Sequence, residues 1–174
     1  MSTVTKEFKS PCAELCAEQC WQSPVGRLLL KASNQGLTHL TVVDGDYQTQ
    51  KQGDNSQTAM EILAMVISQL QQYFAGERLQ FDVPLAPTGT EFQQQVWQAL
   101  QGVEFGQSCS YSDIAQKINR PKAVRAVGAA NGANRIAIII PCHRIIGKSG
   151  KLTGYAYGLE MKQALLSLEK NTKD

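Results

Sequence analysis

Neither an internal repeat nor a low-complexity tract runs through this chain of 174 residues, which excludes solenoid, collagen-like and purely linker architectures. Long apolar runs are lacking as well. The longest, from Ile136 to Pro141, falls far short of the roughly 20 residues that a membrane-crossing helix requires. No apolar leader resembling a signal peptide stands at the N-terminus, so a soluble protein of the cytoplasm is expected, with no membrane partner. Histidine is scarce, limited to His39 and His143, and the five cysteines are an odd number. That count speaks against a disulfide framework and for free thiols in a reducing compartment. Cys12, Cys16 and Cys20 are spaced by four, which would gather thiols on a helix, yet a fourth ligand is not evident. No metal and no cofactor is expected.

Acidic charge is also missing between Ile114 and Leu159. That stretch holds eight basic residues: Lys117, Arg120, Lys122, Arg125, Arg135, Arg144, Lys148 and Lys151. A run of one sign is a candidate footprint for phosphates, and a solvated basic face is the alternative. The imbalance divides the chain. Residues 1–87 carry 6 Lys and Arg against 9 Asp and Glu, net −3, whereas residues 88–174 carry 11 against 6, net +5. Two closely packed parts, 1–87 and 88–174, are expected.

The elements read as α/β. An apolar run from Arg27 to Ala32, a turn at Ser33–Gly36 and a branched run from Leu37 to Val43 form a hairpin pattern. Ala59, Ile62, Leu63, Val66, Ile67, Leu70, Tyr73 and Phe74 form the stripe of an amphipathic helix, with Gly76 as its stop. Residues 81–89, with two prolines and no periodicity, read as a linker. Beyond it the texture is helical. Thr90 and Gln93 suit a capping box for a helix to Gly102, and Ser110 and Asp113 cap a short helix to Ile118. Pro121 suits the first position of a further helix to about Asn131, which makes a helix-turn-helix candidate. A last stripe comprises Met161, Ala164, Leu165 and Leu168.

The chemistry concentrates in Ile138-Ile139-Ile140-Pro141-Cys142-His143-Arg144-Ile145, read as an apolar strand ending at a proline and a cysteine. Neighbouring cations favour a thiolate, and a histidine is a suitable base for it. An inert, buried cysteine at a strand end is the bland alternative.

With these residues the sequence resembles the O6-alkylguanine-DNA alkyltransferases of bacterial type, the single-use repair proteins. The match rests on Pro141–Arg144, on Ser110-Tyr111, on the segment from Arg120 to Asn131, on Asn134, on Gly154-Tyr155-Ala156, and on Leu165-Leu166 ahead of Glu169. The resemblance implies a ribonuclease-H-like sheet and helix packed on a winged helix-turn-helix-like half. It implies a monomer that binds the minor groove of duplex DNA carrying an alkylated guanine, with O4-alkylthymine left open as a second substrate, and flips the base. Cys142 would take the alkyl group as a thioether, in a single turnover. His143, oriented by Glu169, would serve it through water. Tyr111 would bond guanine N3 and supply a proton, and Asn134 would bridge the turn to the cysteine. Arg125 would fill the vacated stack, with Lys122, Ala126, Ala129, Ala130 and Asn131 on the same DNA-binding helix. Tyr155, Ala156, Tyr157 and Ile145 would border the base pocket, and the carbonyls of Cys142 and Ile145 would accept the exocyclic amine. Tyr157 departs from the family, which often has glycine there.

Two other classes remain open on the residues alone. One is a helix-turn-helix binder that flags damage without repairing it, although such relatives replace the reactive cysteine. The other is a cysteine hydrolase, for which adjacent Cys and His in an extended strand are poorly disposed. Dominant phosphate contacts imply weak sequence preference and salt-sensitive DNA binding.

Overall fold

The computed structural model describes residues 15–49 and 56–173. Three antiparallel strands come first: β1 (Ala17–Ser23), β2 (Gly26–Ser33) and β3 (Gly36–Val42), in that spatial order. The expected hairpin is β2–β3. The strand β1 was not read from the sequence, although it pairs along its whole length, from Ala17 opposite Ala32 to Ser23 opposite Gly26. It is an edge strand buried only at its two ends, so it carries no alternating apolar signal. In β3 an irregularity opposite Lys31–Ala32 shifts the register, and this lets Leu37 and Leu40, three residues apart, both enter the core with Leu28, Leu30 and Ala32.

That apolar face is covered by α1 (Gln57–Phe74), capped by Ser56, whose Oγ accepts from Ala59 N at 3.1 Å. Ala59, Ile62, Leu63, Val66, Leu70 and Tyr73 point inward, and each large one contributes about 1.5–3 kcal/mol of burial. Gly76 ends the helix in the left-handed region, at φ +75°.

Residues 81–89 are more than a linker. Gln69 grips Asp82 in both directions, at 2.8 and 2.9 Å, and Pro84 and Ala86 hydrogen-bond Leu37 along the free edge of β3. A Cβ on Gly36 would lie 2.7 Å from the Pro84 carbonyl oxygen, so this approach requires glycine. The rest of that edge is closed by the second half of the chain: Leu40 N donates to Arg135 O and Ala137 N to Leu40 O.

The second half is mostly helical. α2 (Glu91–Gln101) has the Thr90–Gln93 capping box, and its Trp97 donates from Nε1 to Ala130 O at 2.8 Å. α3 (Tyr111–Lys117) has the Ser110–Asp113 box, and α4 (Val124–Gly132) follows. Pro121 does not open α4 as expected. Arg120 O accepts from Ala123 N, so Pro121 and Lys122 form the centre of a tight turn, where proline is equally favoured. The apolar run before Pro141 is not a strand either. Ile139, Ile140 and Cys142 donate to Ala137, Ile136 and Ile140, a folded segment with Ile138 at φ +70°, and only Ile136 bridges to β3. Apolar side chains buried on all sides give no periodicity that separates such a turn from a strand. A 3-10 turn (Cys142–Arg144), the short parallel pair β4 (Cys109–Ser110) with β5 (Ile145–Ile146), and α5 (Leu159–Lys173) complete the fold. The wing reduces to that two-residue ladder.

Candidate active site

Cys142 opens the 3-10 turn and is only 4% exposed. Asn134, two residues beyond α4, holds it. The amide Nδ2 donates to Sγ at 3.1 Å, to Ile140 O at 2.9 Å and to Ile136 O at 3.3 Å, while Oδ1 accepts from Ile136 N at 2.9 Å. One side chain therefore shapes the strained turn and touches the sulfur. Burial pushes the Cys142 thiol up, and the Asn134 bond and the Lys162 charge pull against it without prevailing. The group rests as a thiol and has to lose its proton before it attacks.

His143 is fully buried, with Nε2 2.7 Å from Glu169 Oε1. A carboxylate only accepts, so Nε2 carries the hydrogen and the neutral ring keeps Nδ1 as its acceptor. That Nδ1 is buried and has no protein partner among the described residues. Burial holds the imidazole below its ordinary range, despite Glu169. The ring is a neutral base with one nitrogen unclaimed.

By itself Glu169 reads as a solvated carboxylate near a helix end, yet it is fully buried. Arg144 donates to it from Nε at 2.9 Å and from Nη2 at 3.0 Å, Gly106 N at 3.2 Å, and the Tyr73 hydroxyl at 2.8 Å. Burial raises this carboxyl, but the bonds from His143 and Arg144 outweigh it and hold it at about 2. Arg144 also donates to Val103 O and lies 5.8 Å over the Phe105 ring. It therefore leaves the basic footprint; the other seven basic residues of that stretch are exposed.

Lys162 had no place in the sequence reading. It is fully buried in α5, and Nζ donates to Ile145 O at 2.5 Å, Thr153 O at 2.9 Å and Gly154 O at 3.4 Å. It fastens the loop 147–158 to the reactive turn, and one of the two carbonyls expected to receive the base already serves it. The signal was present as spacing: Lys162, Leu165 and Glu169 share one helix face.

The loop faces the thiol. The Tyr155 hydroxyl is buried without a well-formed hydrogen bond, and its ring meets Tyr157 edge to face at 5.6 Å. Burial above all raises both phenols, Tyr157 to about 12, and a thiolate formed at Cys142 would raise them further. Ala156 is exposed and Ile145 buried. Tyr111 stands between α4 and this loop, with its hydroxyl 3.4 Å from Thr153 O; a Cβ on Gly128 would lie 3.8 Å from its ring.

On α4, Arg125, Ala126 and Ala129 are exposed, and Lys122 is exposed in the preceding turn. Ala130 and Asn131 are corrections to the expected DNA-facing set. The helical period turns both inward, where Ala130 packs under Trp97 and Asn131 Oδ1 has no partner among the described residues. The cysteine spacing is another correction. Cys20 lies within the extended β1 and Cys16 just before it, so no helix stacks these thiols, and Cys12 lies outside the described residues. Among the described residues no group of three or more His, Cys, Asp or Glu could hold a metal ion, and no helix is long and apolar enough to cross a membrane.

Residues 91–171 match the family model "6-O-methylguanine DNA methyltransferase, DNA binding domain", and residues 18–87 match "6-O-methylguanine DNA methyltransferase, ribonuclease-like domain". The chain is 49% identical over 148 residues to a methylated-DNA–protein-cysteine methyltransferase of Mycolicibacterium paratuberculosis, covering 85% of this chain and 88% of that one. To the protein of the same name from Methanosarcina acetivorans it is 48% identical over 149 residues, 86% and 95% of the two chains. The crystal structure of Mycobacterium tuberculosis OGT in complex with DNA superposes with a TM-score of 0.79 at 46% identity, covering 89% of this chain and 93% of that one. These matches, spanning both halves, show that the chain belongs to the 6-O-methylguanine DNA methyltransferase family.

Proposed function

We propose that this chain repairs alkylated duplex DNA by direct reversal, with Cys142 as the acceptor of the alkyl group. The observation that carries the assignment is the buried series Asn134–Cys142 with His143–Glu169 beside it: a thiol held at 3.1 Å and a neutral imidazole held at 2.7 Å. The thiol proton passes through water to the unclaimed Nδ1 of His143. Sγ then attacks the alkyl carbon, the carbon–O6 bond breaks, and a thioether forms. The leaving guanine keeps the bonding electrons and takes a proton, supplied by the Tyr111 phenol at N3. A thioether offers no easy hydrolytic exit, so the chain acts once.

The base reaches Cys142 only if it leaves the stack, and Arg125 fills the gap it vacates. The exposed Ala126 and Ala129 allow α4 to lie close in the minor groove, and the exposed cations beside it hold phosphates. O6-alkylguanine is the substrate of this reading, bound by a monomer in the cytoplasm, and Tyr155, Ala156 and Tyr157 wall its pocket. The division after Pro87 into a supporting part and a reactive part belongs to the same proposal.

The test is intact-mass spectrometry after incubation with a duplex containing one O6-methylguanine. Wild type gains about 14 Da in stoichiometric amount, one methylene, and Cys142→Ser gains nothing. Retained binding with no mass gain on wild type would make this a damage-recognition module instead.

A further inference from the structure

Tyr73 belongs to α1, in the half that matches the ribonuclease-like domain, 96 residues away from Glu169. Its ring is fully buried among Phe74, Phe81 and Phe105, with centroids 5.2, 5.4 and 5.9 Å away. Phenylalanine would satisfy that packing. A hydroxyl placed in an aromatic cluster costs free energy unless it finds a partner, and this one has a single hydrogen bond, 2.8 Å to Glu169 Oε1. The same oxygen receives His143 Nε2 at 2.7 Å and Arg144 Nη2 at 3.0 Å. The supporting half thus reaches through the domain boundary to the carboxylate that orients the base.

We propose that Tyr73 is a positioning residue of the alkyl-transfer site: its hydroxyl fixes the Glu169 carboxylate and draws negative charge from the oxygen that His143 uses. The proposal deepens the repair reading and rests on it only for the rate measurement. The groups around the carboxylate are His143 and Arg144 from the reactive turn, Tyr73 from α1, the Gly106 N–H, Tyr155 from the loop, and Lys162 on α5 itself. Of the groups that donate to the carboxylate, Tyr73 is the one whose hydroxyl is removable at nearly constant shape. Burial and the Glu169 charge hold its phenol far above the usual range, so it is a donor throughout the working pH range. Removing it leaves Oε1 more basic toward His143 and the carboxylate less constrained, so the imidazole takes up a proton more readily.

The experiment compares the full-length wild type with Tyr73→Phe in two measurements. The first is a pH titration of the His143 ring nitrogens by NMR, in which His39 is the only other histidine. Tyr73→Phe is expected to move the His143 midpoint upward by about half a unit, and to leave His39 in place. The second is the single-turnover transfer rate from O6-methylguanine duplex across pH. The variant is expected to be about tenfold slower near pH 7, with its acidic limb moved upward and DNA affinity unchanged. An unmoved His143 midpoint overturns the proposal, as does a slower rate with an unmoved acidic limb, which would mark a purely structural role. If wild type transfers nothing, the repair reading fails, and the NMR titration alone still decides whether Tyr73 tunes His143. Should Tyr73→Phe fold poorly, Phe81→Leu, a cluster neighbour lacking the hydroxyl, supplies the comparison: equal destabilisation with an unmoved His143 midpoint supports the role of the hydroxyl, and an equally moved midpoint overturns it.

Discussion

Replacing Lys162 by methionine keeps most of the buried stem and removes the ammonium. The carbonyls of Ile145 and Thr153, at 2.5 and 2.9 Å, lose a charged donor, and that of Gly154, at 3.4 Å, loses a marginal one. A charge-assisted bond of this kind is worth about 1.5–3 kcal/mol, so the two close ones amount to roughly 3–6 kcal/mol. Part of that is returned, because burial already works against the ammonium and lowers its pKa, and methionine removes this cost. The net loss should be about 2–4 kcal/mol. In a chain of this size each kcal/mol corresponds to about 2–4 °C, which gives a fall in Tm of roughly 5–15 °C by circular dichroism. Well below that Tm, single-turnover transfer should also slow by about tenfold or more, since the loop carrying Tyr155 and Tyr157 is no longer held against the thiol. A Tm within about 2 °C of wild type would refute the reasoning, and the bonds of the ammonium would then only balance the cost of burying it.

Acid should destabilise the protein in two overlapping stages. Burial keeps His143 below its ordinary 6.5, so as pH falls through 6.5 the unfolded chain binds a proton before the native one does, and stability declines from there. Glu169, held at about 2 against 4.5, contributes about 3 kcal/mol that is present above pH 4.5 and lost as pH falls toward 2. Urea midpoints measured at pH 7.5, 6, 5 and 4 should decrease steadily, and a flat line from 7.5 to 5 would count against a neutral, buried His143. Tyr157→Gly removes the ring that closes on Tyr155 at 5.6 Å. The ratio of transfer rates from O6-benzylguanine and O6-methylguanine duplexes should then rise by about tenfold, whereas an unchanged ratio would mean that Tyr157 does not wall the pocket.

Local chemistry was legible wherever a short segment decides its own conformation. The Thr90–Gln93 and Ser110–Asp113 boxes, the α1 stripe and the Gly76 stop each depend on contacts within four or five residues, and they appear as read. Cys142, His143, Asn134 and Glu169 were named from a resemblance of motifs, and the structure brings them together. Legibility failed where the deciding partner is distant. β1 is polar and becomes a strand only because β2 offers it an edge. The run before Pro141 is apolar enough for a strand, yet it turns back on itself because Asn134 supplies four hydrogen bonds to that region. Pro121 is compatible with a helix start or a turn centre, and the fold chose the turn.

The sequence by itself determined the opposite net charge of residues 1–87 and 88–174, the excess of cations beyond Ile114, the capped helices and the placement of a cysteine beside a histidine, because these are properties of residue type and near neighbours. Only the tertiary structure decided which of those charges work inside. Arg144 counted among the footprint cations, Lys162 had no assigned place, and Glu169 entered only through the resemblance, until α5 carries Lys162 and Glu169 into the interior beside the reactive turn. Tyr73 read as one more core ring until α1 set its hydroxyl against that carboxylate. Burying a charge is unfavourable unless partners converge on it, and partners drawn from residues 73, 106, 143, 144 and 169 meet only when the whole chain has folded.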